Sequence, residues 1–307
     1  SGGFLVVASQ VPWTIKKFFL SCLRGASQVI FSANPLSGFI FLVAIFFGSK
    51  LSVSIGAIVG LTVSTLTSRI LRNDEAEVEK GLFGYNGILI GIAIPVFFDA
   101  SWPIWMLLIA LAIFAPPTTV LLNRVLRPLS LPALTLPFVL LTWAGIAFGH
   151  KFLQHSNDVT SASMTLDLKS GISGALAGFS QIFLVDNPAS GGLILLALAF
   201  SSKRFAIWGV VAAALSFALW VFADFNRDLI FSGVYGYNSI LVGIAAGAVF
   251  LNPGLKTCIV SVFGILLAAV IQNLFIELLG ALDLPSLTAP FVFGTWICLW
   301  VHRRLGP

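Results

Sequence analysis

The chain has 307 residues and a formal net charge of +5; 58% of its residues are apolar and only 9% are charged. Soluble domains carry roughly 25% charged residues, so a soluble enzyme or nucleic-acid-binding domain is excluded as the first reading. The basic residues fall between long apolar runs, a pattern that orients membrane proteins, and the runs are continuous rather than alternating, which excludes an outer-membrane barrel.

The expected architecture is all-α and polytopic. The opening Ser-Gly-Gly reads as a remnant outside the fold, and no cleavable signal peptide is visible. An apolar stretch follows over about Val11–Ser32. Five spans are then predicted over about Pro35–Gly48, Leu51–Arg69, Tyr85–Phe98, Trp102–Leu122 and Thr135–Phe148. The same series returns as an opening stretch near Ser170–Val185. Its five spans are about Ser190–Phe200, Phe205–Val221, Tyr237–Leu251, Thr257–Leu278 and Thr288–Val301. The polar segment "RNDEAEVEKG" reads as a solvated loop. "HSNDVTSASMTLDLKS" reads as the boundary between two halves, residues 1–155 and 156–307.

Three phrases recur in order. "SQVIFSANPLSG" matches "SQIFLVDNPASG", "GYNGILIGIA" matches "GYNSILVGIA", and "LPALTLPF" matches "LPSLTAPF", at offsets of 153, 152 and 153 residues. One duplicated ancestor accounts for a shared offset. An odd number of spans per half turns the second half over in the membrane. With the N-terminus in the cytoplasm, 13 of the 17 Lys and Arg fall on the cytoplasmic side, including Lys203, Arg204, Lys256, Arg303 and Arg304 of the second half. The first, third and fifth spans of each half are short. Short or Pro/Gly-interrupted segments at matching places in inverted repeats point to a midplane site.

These paired motifs resemble the urea transporter family, whose LPxxTxPF signature both copies fit, and the match extends over nearly the whole chain. The length, with little outside the repeats, looks like a bacterial member. The resemblance implies two inverted repeats, each of five transmembrane helices and one re-entrant or tilted helix. It further implies a homotrimer in the inner (plasma) membrane, both termini cytoplasmic, with one urea pore per protomer between the halves. No cofactor, metal, nucleic acid or catalytic residue is expected: Cys22, Cys258 and Cys298 lie far apart, and the three His have no metal-ligand spacing.

Gln28 and Gln181 are equivalent by the repeat, and an amide oxygen there suits the N–H groups of urea. The same residues could instead tie helix ends. The resemblance makes them the polar residues of two amide sites; the second position is Glu in some relatives, whereas both are neutral here. Thr135 and Thr288 fit an N-cap role, a constriction role, or both; the resemblance places them at the central constriction. It puts Val29, Phe31, Tyr85, Leu89, Ile182, Leu184, Tyr237 and Leu241 on an apolar slot. Leu184 stands where the first half has Phe31, and Tyr85 and Tyr237 stand where Phe is expected, adding hydroxyls that could serve a vestibule. Asn34, Pro35, Asn187 and Pro188 read as turn residues. Asp186 is the only carboxylate within a repeated phrase; an acid inside the membrane would be read as functional, but its Asn-Pro neighbours suggest a solvated loop mouth. The function expected is passive urea transport. The alternative is a coupled secondary transporter, or a channel for another small neutral solute such as short amides; the neutral repeated positions count against coupling.

Overall fold

The computed structural model describes residues 14–152, 168–223 and 226–306. The boundary between residues 155 and 156 lies outside them, as does most of the linker between the halves. Helices are the only regular elements among the described residues. In the first half these are α1 (Ile15–Gln28), α2 (Pro35–Gly48), α3 (Leu51–Ile70), the short α4 (Glu75–Glu79), α5 (Tyr85–Phe97), α6 (Trp102–Leu126) and α7 (Leu136–Phe152). The second half repeats the order with α8 (Leu168–Gln181), α9 (Pro188–Ser201), α10 (Lys203–Phe222), the short α11 (Arg227–Phe231), α12 (Tyr237–Ile244), α13 (Leu255–Gly280) and α14 (Ala289–Arg304). Among the described residues, four helices are long and apolar enough to cross a membrane, within Leu51–Ile70, Trp102–Leu129, Lys203–Phe222 and Leu255–Gly280. Their outward faces carry exposed Ile, Leu and Phe, as lipid contact requires. The protein is thus an all-helical, multi-pass membrane protein.

Two short helices were not expected. The acidic run read as a solvated loop is instead helical. Asp74 accepts from the Glu77 N–H at 3.0 Å as its cap, and acidic residues in the first turn favour that end of the helix. Glu79 pairs with Lys17 at 2.9 Å, and its carbonyl accepts from Arg24. Val78 is buried, and α4 packs against α1 and α3. In the second half, α12 runs on into a π-helical turn at Ala245–Phe250. Arg204 inserts there, donating from Nε and Nη2 to the Gly247 carbonyl at 3.0 and 2.7 Å, and a donor inserted into a helix ladder opens it.

One close seam joins α3 and α5. A Cβ added at Gly91 would stand 2.0 Å from the Gly56 carbonyl oxygen, and one at Gly60 would stand 2.2 Å from that of Gly87. Two small-xxx-small pairs therefore bring backbone to backbone, the packing available where lipid removes the hydrophobic drive.

The halves touch reciprocally. Ser37 donates to the Ala197 carbonyl at 3.1 Å, and its equivalent Ser190 donates to the Ala44 carbonyl at 2.8 Å. Trp143 donates to the Pro285 carbonyl at 2.8 Å, and its equivalent Trp296 to the Pro132 carbonyl at 2.9 Å. Contacts exchanged in this way are those of a two-fold relation.

Candidate functional site

The site forms where α1 and α8 end and α7 and α14 begin. Helix α1 closes with Phe31 N–H on the Gln28 carbonyl and Ser32 N–H on the Ser27 carbonyl; α8 closes the same way through Leu184 and Val185. Such closures place a left-handed residue just past the helix, usually glycine. Here Phe31 and Leu184 occupy it at φ 57° and 53°. A bulky side chain in that region costs roughly 1–2 kcal/mol, a strain that clusters at functional sites. Asn34 and Asn187 then cap α2 and α9 by accepting from Leu36 N–H and Ser190 N–H at 2.9 and 3.0 Å, with Pro35 and Pro188 opening each helix.

The LPxxTxPF loops are held by the neighbouring "GYN" residues. Tyr85 donates its hydroxyl to the Leu134 carbonyl at 2.7 Å, and Tyr237 donates to the Leu287 carbonyl. Leu134 and Leu287 are again left-handed, at φ 51° and 46°. Fully buried Asn86 and Asn238 accept from the N–H groups of Phe138 and Phe291 at 3.2 and 3.1 Å, satisfying orphan donors in the first turns of α7 and α14. The tyrosine hydroxyls thus clamp a strained loop and are not free for a vestibule. Thr288 stands at the N-cap of α14 without a side-chain cap bond; its hydroxyl lies 2.6 Å from that of Thr135, with both residues buried. Each strained loop delivers one hydroxyl, and the two meet between the halves.

A cavity of about 210 Å³ opens beside this pair. It brings together five of the expected residues, Gln28, Val29, Phe31, Tyr85 and Thr135. Phe250 and Phe291 of the second half complete its wall, standing edge-on to Phe31 at ring distances of 5.6 and 6.0 Å. The other expected residues do not border it. Gln181, Ile182, Tyr237, Leu241, Thr288 and Leu89 are buried in packing, and Leu184 is half-buried. The difference follows from the side chains behind. Thr119 borders the cavity, whereas its equivalent is the longer Gln272, fully buried and bonded to Asn238 and to Ser286. Asp186 is exposed in the loop between α8 and α9, as its Asn-Pro neighbours suggested.

The sequence reading assigned no role to Glu77, Thr119, Asn123 or Phe250, all of which line the cavity. Nor did it assign one to Asn86 and Asn238, although these stand inside a quoted repeat. The "TW" pairs at Thr142–Trp143 and Thr295–Trp296 recur at an offset of 153, which would have marked the tryptophans.

A model of a family described as "Urea transporter" matches residues 19–303. The chain belongs to the urea transporter family. It is 31% identical to urea transporter 1 of Ovis aries over 294 residues, covering 92% of this chain and 76% of that protein. The likeness to urea transporter 1 of Capra hircus is the same, and that of Mus musculus is 30% identical over 294 residues. This family is one of transporters rather than enzymes.

Proposed function

We propose that this urea transporter family member is a passive, channel-like path for urea. Its narrowest point is the Thr135–Thr288 pair, reached through the cavity beneath Gln28. The observation that carries this is the hydroxyl pair itself: two strained, clamped loops, one from each half, bring their oxygens to 2.6 Å, and Thr135 of the pair borders the cavity. Urea carries four N–H donors and one oxygen. Gln28 and the threonines offer acceptors, and Phe31 and Phe291 offer flat apolar walls. An ion could not replace its hydration shell with so few groups. Gln181, Ile182, Leu184, Tyr237, Leu241 and Thr288 are the matching face on the other side, together with Leu89.

The halves are inverted repeats in this reading, each of five membrane helices and one tilted or re-entrant helix, α1 and α8. The reciprocal contacts support a two-fold relation. The bias of 13 Lys and Arg against 4 supports an axis in the membrane plane, with both termini in the cytoplasm. The proposed setting is the inner membrane and the assembly a homotrimer.

Reconstituted protein should accelerate urea-driven volume change in liposomes, followed by light scattering, with no need for a proton or sodium gradient. Flux equal to that of empty vesicles, or flux dependent on such a gradient, would sink the reading. Thr288→Trp should abolish flux while leaving membrane insertion intact.

A further inference from the structure

We propose that the first-half mouth of this path also binds planar, N–H-rich cations of the guanidinium class, with Glu77 as the charged acceptor. The proposal rests on the urea reading, because guanidinium shares the flat, three-substituted carbon frame of urea and adds a charge.

Helix α4 carries three glutamates with different fates. Glu79 is paired with Lys17 at 2.9 Å, and Glu75 lies 3.6 Å from Arg69. Glu77 borders the cavity and has no ion pair among the described residues. A second acceptor stands on the same cavity wall. Gln28 spends its Nε2 on the Lys80 carbonyl at 3.0 Å, which leaves Oε1 as an acceptor without a donor among the described residues. A carboxylate and an amide oxygen match a fork of N–H groups, and charge-assisted forks are the stronger kind. The Phe31 ring also lines this cavity.

The mouth is not a general well for cations. Arg127 and Arg303 border the adjoining groove, and Arg303 donates to the carbonyls of Leu129 and Ser130. Selection therefore rests on the N–H fork as much as on charge. The site is also one-sided, since the repeat equivalents of Glu77 and Asn123 are Leu229 and Ile276. Once bound, the cation meets the uncharged threonine pair, where an ion is not compensated for its water. It should block urea rather than follow it.

The test uses the full chain in liposomes, with guanidinium chloride at millimolar concentration and tetramethylammonium chloride, which has no N–H, as control. Each protein is scored by the concentration that halves its own urea flux. Guanidinium should halve wild-type flux at a concentration about fivefold lower than for Glu77→Gln, the scale of one partly exposed charge pair, and tetramethylammonium should do nothing. Equal values for the two proteins, or equal inhibition by the two cations, would overturn the site. A second measurement needs no flux. In detergent, the unfolding midpoint of wild type relative to Glu77→Gln should be higher in guanidinium than in tetramethylammonium. If wild type moves no urea, the transport reading fails, and this midpoint difference still decides the site: its absence removes it.

Discussion

Phe31 shows how one residue can be held against its own preference. At φ 57° it occupies the position past α1 that glycine fills without strain. The ring is kept because it forms the cavity wall against Phe250 and Phe291. Stability and flux should therefore part at this position. Phe31→Gly and Phe31→Ala remove the same wall, but only glycine releases the backbone. The glycine variant should unfold at the higher temperature of the two, by an amount equivalent to about 1 kcal/mol, the reverse of the order in a helix. Both should admit bulkier amides such as dimethylurea relative to urea. Thermal unfolding in detergent and paired flux measurements check the two halves of this statement; an alanine variant at least as stable as the glycine variant would remove the strain argument.

At the scale of elements, the α3–α5 seam is an exacting contact, because backbone meets backbone there. Gly91→Ala sets a methyl 2.0 Å from the Gly56 carbonyl oxygen, which no rotamer change can relieve. It should destabilise by 1–3 kcal/mol or more, as overpacking does. Gly192→Ala in α9 meets nothing within 4 Å and should be neutral or stabilising by roughly 0.5–1 kcal/mol, the ordinary helix preference. Similar losses from both would mean that the seam is loose. The spans themselves were legible in the sequence, since apolar length and the Pro and Gly breaks mark them. What was not legible was set by contacts between distant elements. Helix α4 is too short for periodicity to show, and it is fixed by Lys17 and Arg24 from α1. The threonines fitted a cap, a constriction or both from sequence; that their hydroxyls meet across 153 residues is a contact only the fold supplies. Tyr85 and Tyr237 looked like slot residues with spare hydroxyls, and those hydroxyls are spent on Leu134 and Leu287.

At the scale of the whole molecule, the halves share a plan but not their fill. The reciprocal serine and tryptophan contacts place equivalent backbones alike at those points, but the π-helical turn at Ala245–Phe250 has no counterpart in α5, so the two sides of the threonine pair differ in that turn as well as in side chains. Thr119 and Gln272 are the clearest such difference: the first borders a cavity of about 210 Å³, and the second is buried in a network with Asn238 and Ser286. Exchanging them should move the opening. Thr119→Gln adds bulk at the cavity wall and should lower urea flux by about tenfold, a barrier increase of ~1.4 kcal/mol. Gln272→Thr removes bulk behind the second loop while keeping a hydroxyl for Asn238, as Thr119 does for Asn86 at 3.3 Å. If passage through the second half limits transport, its flux should exceed wild type, and the double exchange should restore an intermediate value. Light-scattering flux on vesicles matched for inserted protein measures all four proteins together. An unchanged Gln272→Thr flux beside a blocked Thr119→Gln would place the limiting step at the threonine pair itself. Unchanged flux in both would take these two positions off the path.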